Sequence, residues 1–178
     1  MRQTVVLRDG RKVVVRDLSP RENVEALRRY YNALIEEGAP ILACKKVSVA
    51  EEKKWLKRTM SEVREGKRIS LVAQSGGRIV SISFASRDKL REEGNILLGI
   101  GVARDFRGAG LGCLMMKKII ELAKRRLKPQ LIYLTHLGSN KVARDLYDFL
   151  GFREVARLPN WTPYRDKRVD RVFMVLKK

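Results

Sequence analysis

The 178 residues include 44% apolar and 33% charged side chains, a balance that builds a packed core and excludes a disordered chain. A chain of this length buries roughly 70% of the surface it exposes when unfolded, so one domain spanning 1–178 needs no disulfide staples. The 39 Lys and Arg against 20 Asp and Glu leave a charge of +19, which suits anionic partners or a solvated surface adapted to heat or salt.

Cys44 and Cys113 lack metal-ligand spacing, so no metal site is expected and both read as reduced thiols. The longest apolar runs are strand-sized, and Val5-Val6-Leu7 is followed at once by Arg-Asp-Gly. Neither a membrane span nor a signal-peptide core is expected, and a cytoplasmic protein is.

Residues 4–17 read as a hairpin around Asp9-Gly10, with a type I′ turn expected. Ser19, Pro20 and Glu22 predict a helix start, with Leu27, Tyr30, Tyr31, Leu34 and Ile35 on its apolar face and Gly38 at its stop. Ser48 and Glu51 repeat the capping-box spacing and open a second helix that ends near Gly66. Residues 69–86 form a second hairpin through Ser75-Gly76-Gly77, followed by a charged loop, 87–94, and an apolar strand, 95–102. A third helix is expected over about 110–126, a buried strand over 131–135, a fourth helix over 140–150, and closing strands over about 152–158 and 168–176. Hairpins mixed with strand–helix–strand units imply an α/β (α+β type) fold, a mixed sheet with helices on its faces.

The segment most informative about function is Gly99-Ile-Gly-Val-Ala-Arg-Asp-Phe-Arg-Gly-Ala-Gly-Leu-Gly112. It joins a buried strand to a glycine-rich helix start. There the first N–H groups have no internal partner and the helix dipole favours an anion, so a pyrophosphate fits. A tight turn with close helix packing is the alternative. The segment lacks the Lys-Ser/Thr ending of a P-loop and the glycine spacing of a dinucleotide fingerprint.

Arg107-Gly-Ala-Gly-Leu-Gly112 resembles the Arg/Gln-x-x-Gly-x-Gly signature with which GNAT acetyltransferases hold the CoA pyrophosphate. Asn140-Lys-Val-Ala-Arg-Asp-Leu-Tyr-Asp-Phe-Leu-Gly-Phe152 resembles the second motif of the same family. Asn140, Ala143, Leu146, Tyr147, Gly151 and Phe152 fall at the matching positions, and the likeness covers about residues 12–176.

The resemblance implies a mostly antiparallel sheet of about seven strands, flanked by about four helices, whose two central parallel strands splay to admit pantetheine. It implies acetyl-CoA as co-substrate and N-acetyl transfer to a primary amine, either a peptide α-amine or a small metabolite amine. Backbone amides of Arg107, Gly108, Ala109, Gly110, Leu111 and Gly112 would hold the pyrophosphate. Val102 would pair with pantetheine and Asn140 would hold the cofactor arm, with Lys141 or Arg144 toward the ribose phosphate. Gly99 and Gly101 share one side of their strand, which leaves that side open to a ligand or to tight packing.

Tyr147 matches the family's general acid, and a nearby positive field or helix terminus would bring its pKa toward that of a thiol. Where many relatives carry a Glu at the start of the first splayed strand, this chain has Asn95 and Ile96. Glu93 (with Glu92 beside it) and His136 are therefore the candidate bases. A site without an obvious carboxylate leans toward weakly basic amines, and the +19 charge argues against polycationic acceptors.

For the acceptor, Tyr30, Tyr31, Glu36, Glu37, Trp55, Trp161, Tyr164 and Asp170 are candidates. Residues 158–166, aromatic and turn-rich, read as a mobile loop over the pocket. A non-catalytic acetyl-CoA-binding protein, or a basic protein associated with nucleic acid, is the alternative, although no base-reading motif supports nucleic-acid binding. A monomer or a homodimer is expected.

Overall fold

The computed structural model of the chain describes residues 1–177. In chain order it runs β1 (Arg2–Val6), β2 (Lys12–Asp17), α1 (Val24–Glu36), α2 (Val49–Arg64), β3 (Arg68–Ser75), β4 (Arg78–Arg87) and β5 (Asn95–Val102). There follow α3 (Leu111–Leu127), β6 (Leu131–Leu137), α4 (Lys141–Phe149), β7 (Phe152–Tyr164) and β8 (Lys167–Leu176). The strands form one sheet in the order β1-β2-β3-β4-β5-β6-β8-β7, eight rather than about seven. Every pairing is antiparallel except β5 with β6.

The sheet is buried on both faces, which explains the uninterrupted apolar run Leu71-Val72-Ala73 in β3. Side chains alternate along a strand, so Val72 joins Leu27, Tyr30, Leu34, Leu56 and Met60 under α1 and α2. Leu71 and Ala73 face the opposite core, with Ile96, Leu98, Leu111, Met115, Ile119 and Leu134 under α3. Helix α4 packs on that second side through Ala143, Leu146 and Tyr147.

Three local expectations are corrected. Helix α1 starts at Val24, not at Ser19. The Ser19 N–H does donate to Glu22 Oε1, at 3.1 Å, but Ser19 Oγ accepts from Arg21 N. Glu22 is also held by the Arg16 guanidinium, so the segment closes as a turn. Asn23 then caps the helix by accepting from Ala26 N at 3.0 Å. The Asp9-Gly10 turn is not type I′, because only Gly10 takes a positive φ, +84°. Leu7 N donates to Arg11 O and Gly10 N to Leu7 O, the pattern of a type I turn followed by a left-handed residue.

Strand β7 continues to Tyr164, so most of the expected mobile loop is hairpin. Thr162, Pro163 and Tyr164 pair with Val169, Arg168 and Lys167 beyond an irregularity after Leu158. Asn160 takes φ +49° within that irregularity, and its N–H donates to Asp170 Oδ1 at 3.1 Å. The capping box at Ser48 and Glu51 is formed as expected.

Candidate active site

Beyond the end of β5, Arg104–Phe106 makes a single 3-10 turn whose Phe106 is buried, with the Arg11 guanidinium 3.9 Å above its ring. The chain then turns through Gly108 (φ +77°) and Gly110 (φ +87°), left-handed conformations open mainly to glycine. Gly110 caps α3 without a side chain, which leaves the first amides of the helix free of an internal acceptor. Among the described residues, no backbone acceptor reaches the amides of residues 108–113.

Arg107 departs from expectation. Its amide already donates to Arg104 O at 3.2 Å, so the open cradle begins at Gly108. Its guanidinium turns toward the protein, with Nε on Val102 O at 3.0 Å and Nη2 on the Glu37 carboxylate. Arg107 thereby ties the end of β5 to the end of α1.

The splay is visible in the pairing. Strands β5 and β6 are joined only at Asn95–Leu131, Ile96–Ile132 and Leu97–Tyr133. From Leu98 onward the β6-facing edge of β5 has no strand partner among the described residues, while β6 stays paired with β8 on its other edge. A cleft of about 450 Å³ lies where Arg104 and Arg107 beyond β5, the α1 end at Glu37 to Pro40, the α4 start at Asn140 and Lys141, and the β7–β8 tip at Tyr164 and Lys167 converge.

Two side chains brace this cleft. Asn140 Oδ1 caps α4 by accepting from Ala143 N at 3.1 Å, while its Nδ2 donates to Pro40 O at 3.4 Å. Tyr164 Oη donates to Gly38 O at 2.7 Å and docks the hairpin tip on the end of α1.

The glycines of β5 serve packing. A Cβ on Gly99 would lie 2.4 Å from the Phe84 ring, and one on Gly101 would lie 2.6 Å from Tyr30 Oη and 3.0 Å from Leu34 Cδ1. The space that the missing side chains leave is filled by β4 and α1, not held open for a ligand.

Tyr147 is buried in α4 between the rings of His136, at 5.9 Å, and Phe152, at 6.0 Å. Loss of water on burial pushes its hydroxyl up to about 12, the reverse of the lowering that a nearby positive field would give. His136 is brought to Tyr147 but is itself buried. Its Nδ1 lies 2.8 Å from Leu137 O, and Nε2 has no partner among the described residues. Burial holds its pKa below the ordinary value, with a further push from Arg144 and Arg157, so the ring is neutral at pH 7.

Glu93 is not brought to the cleft. It is exposed beyond the closed end of the splay, where Gly94 O accepts from Gln130 N and Leu131 N. Of the acceptor candidates, Glu37 and Tyr164 line the cleft. Trp161 is exposed, Glu36 pairs with Lys46, and Asp170 is held by Arg157 and Asn160 N. Arg144 is engaged by Asp148 and Glu154, whereas Lys141 lines the cleft. Pro40, Arg104, Ser139 and Arg165 line it too and carry no motif of their own, since four separate segments supply the wall.

The Acetyltransferase (GNAT) family model matches residues 27–152, and the chain belongs to that family. It is an N-acetyltransferase with acetyl-CoA as co-substrate. It is 28% identical to the [Ribosomal protein bS18]-alanine N-acetyltransferase of Escherichia coli strain K12, over 68% of this chain and 80% of that protein. It is 32% identical to the 5-NmdU N-acetyltransferase of Pseudomonas phage PaMx11, over 67% and 83% respectively. The fold matches that of a ribosomal-protein-alanine N-acetyltransferase from Brucella melitensis with a TM-score of 0.79 at 23% identity, covering 90% of this chain and 97% of that one. It matches yncA of Salmonella typhimurium, solved with acetyl-CoA, with a TM-score of 0.79 at 19% identity and 93% coverage of each chain.

The residues fit that co-substrate: free amides at 108–113 suit a diphosphate, and the unpaired edge of β5 suits the amides of a pantetheine arm. No helix among the described residues is long and apolar enough to cross a membrane.

Proposed function

We propose that this acetyltransferase acts on the α-amino group of a peptide or protein N-terminus. One observation carries the reading. The cleft wall is cationic through Arg104, Arg107, Lys141, Arg165 and Lys167, and its one carboxylate, Glu37, is already engaged by Arg104 and Arg107. A polyamine would meet repulsion there without a compensating acid.

The missing carboxylate also selects by acidity. A lysine side chain with pKa ~10.4 is neutral to roughly one part in 2,500 at pH 7, whereas an α-amine near ~7.7–8.0 is already about a tenth neutral. An α-amine therefore needs little help from a protein base, and neither exposed Glu93 nor buried His136 is assigned that task. The bacterial relatives named for ribosomal-protein alanine support the same acceptor class.

Acetyl-CoA supplies the activated acetyl group when bound. The amides of residues 108–113 grip its diphosphate, and Asn140 both caps α4 and steadies the wall beside the cofactor arm. Tyr147 Oη, with its pKa raised by burial, holds a proton at neutral pH and is the donor for the departing sulfur. The exposed free thiol of Cys44 suits a cytoplasmic site of action.

The test is free-thiol release from acetyl-CoA with peptides bearing N-terminal Ala or Ser, with Nα-blocked lysine, and with spermidine. The peptides should be the better substrates by at least tenfold in kcat/KM at pH 7. Faster acetylation of spermidine or of the lysine side chain would overturn the assignment.

A further inference from the structure

The signature arginine of the phosphate loop has its guanidinium engaged within the protein, on Val102 O and Glu37, as described above. The neighbouring cations are engaged as well: Arg11 by Asp9, Arg78 by Asp105, and Arg104 by the same Glu37 that holds Arg107. A diphosphate resting on six neutral amides would therefore meet, from these groups, only the one net positive charge that Arg104 and Arg107 keep after sharing Glu37.

The β1–β2 hairpin, remote in sequence, brings another. Arg8 N donates to Ala109 O at 3.3 Å, which joins the hairpin to the loop directly. The Arg8 side chain then runs across Gly110, so that a Cβ there would lie 3.4 Å from Nε, 3.5 Å from Cδ and 3.6 Å from Cγ. Arg8 is exposed, and no carboxylate pairs with it among the described residues. Gly110 also has to be left-handed to start α3, so the same residue that opens the amide cradle leaves room for the guanidinium above it.

We propose that Arg8 is a cofactor-binding residue that neutralises the CoA diphosphate from the β1–β2 hairpin, while Arg107 is held by Glu37. This rests on acetyl-CoA as co-substrate and is independent of the acceptor. Guanidinium–phosphate pairs are charge-assisted and bidentate, so the loss should be measurable.

Calorimetric titration of CoA and dephospho-CoA into the wild type, Arg8→Ala, Arg8→Gln and Arg8→Lys is the experiment. Both charge-removing variants should bind CoA and dephospho-CoA about tenfold more weakly, and Arg8→Lys should recover part of the affinity, with thermal melts unchanged. CoA affinity within twofold of wild type in Arg8→Ala would overturn the proposal. Weaker CoA binding with dephospho-CoA binding unaffected would overturn it too, since the contact would then be to the ribose phosphate. A wild type that binds neither ligand would instead remove the cofactor reading beneath it.

Discussion

Replacing Tyr147 by Phe removes one oxygen and keeps the ring between His136 and Phe152. With the hydroxyl at about 12 and a thiol near ~8.5, delivering its proton to sulfur in the resting environment is uphill by about 5 kcal/mol. The hydroxyl nevertheless stays protonated far above neutral pH, so the proposed donor would keep its proton across the whole working range. General-acid contributions run from ~10² to ~10⁴, and the uphill transfer points to the lower end.

Tyr147→Phe should therefore lower kcat by about 100-fold and leave CoA affinity unchanged. Turnover of the wild type should rise with pH as the acceptor amine deprotonates near ~8, then stay level to pH ~10.5. The sign follows from the direction of the shift: a hydroxyl raised above its ordinary value of ~10 loses its proton only as pH approaches 12. Steady-state thiol release from pH ~6 to ~10.5, paired with calorimetric CoA binding, measures both quantities. A kcat within twofold of wild type would refute the donor role. A falling limb near pH ~9, absent from the Phe variant, would refute the claim that burial raises the hydroxyl.

Glu52 on α2 is 6% exposed, and burial pushes its carboxyl up to about 7 from an ordinary 4.5. The fold thus prefers the protonated form, and stability falls as pH rises from about 4.5 to about 7. Glu52→Gln should stabilise the protein at pH ~8 by up to about 3 kcal/mol and have little effect at pH ~4. Urea denaturation at the two pH values reads the difference, and equal effects at both would contradict it. Gly101→Ala should cost about 2 kcal/mol by overpacking, because the new methyl meets Tyr30 Oη, which accepts the Ile82 N–H at 3.2 Å. A drop in melting temperature of about 4–8 °C is expected, and an unchanged melt would show that α1 yields freely.

Much of the fold was legible because its signals are local. The Ser48–Glu51 capping box and the paired glycines at 76–77 act within a few residues and mark boundaries that the structure keeps. The two family motifs likewise identify the phosphate loop and α4, since left-handed glycines and free helix-start amides are properties of a short segment. Ser19–Glu22 misled because that spacing serves a turn equally well once Arg16, from another element, competes for Glu22. The β7 extension was hidden because a Pro- and Asn-bearing segment becomes strand only when β8 lies beside it.

By itself, the order of residues determined where the chain can turn, which faces are apolar and where main-chain donors are left free, because steric and hydrogen-bonding constraints of that kind need no distant partner. Only the tertiary structure decided that Arg107 spends its charge on Glu37, that Tyr30 and Phe84 fill the space beside Gly101 and Gly99, and that Tyr147 is dehydrated rather than polarised. Charge pairing and desolvation depend on which groups the fold brings together, and Glu37 with Arg107, or Tyr30 with Gly101, meet only once the chain has folded.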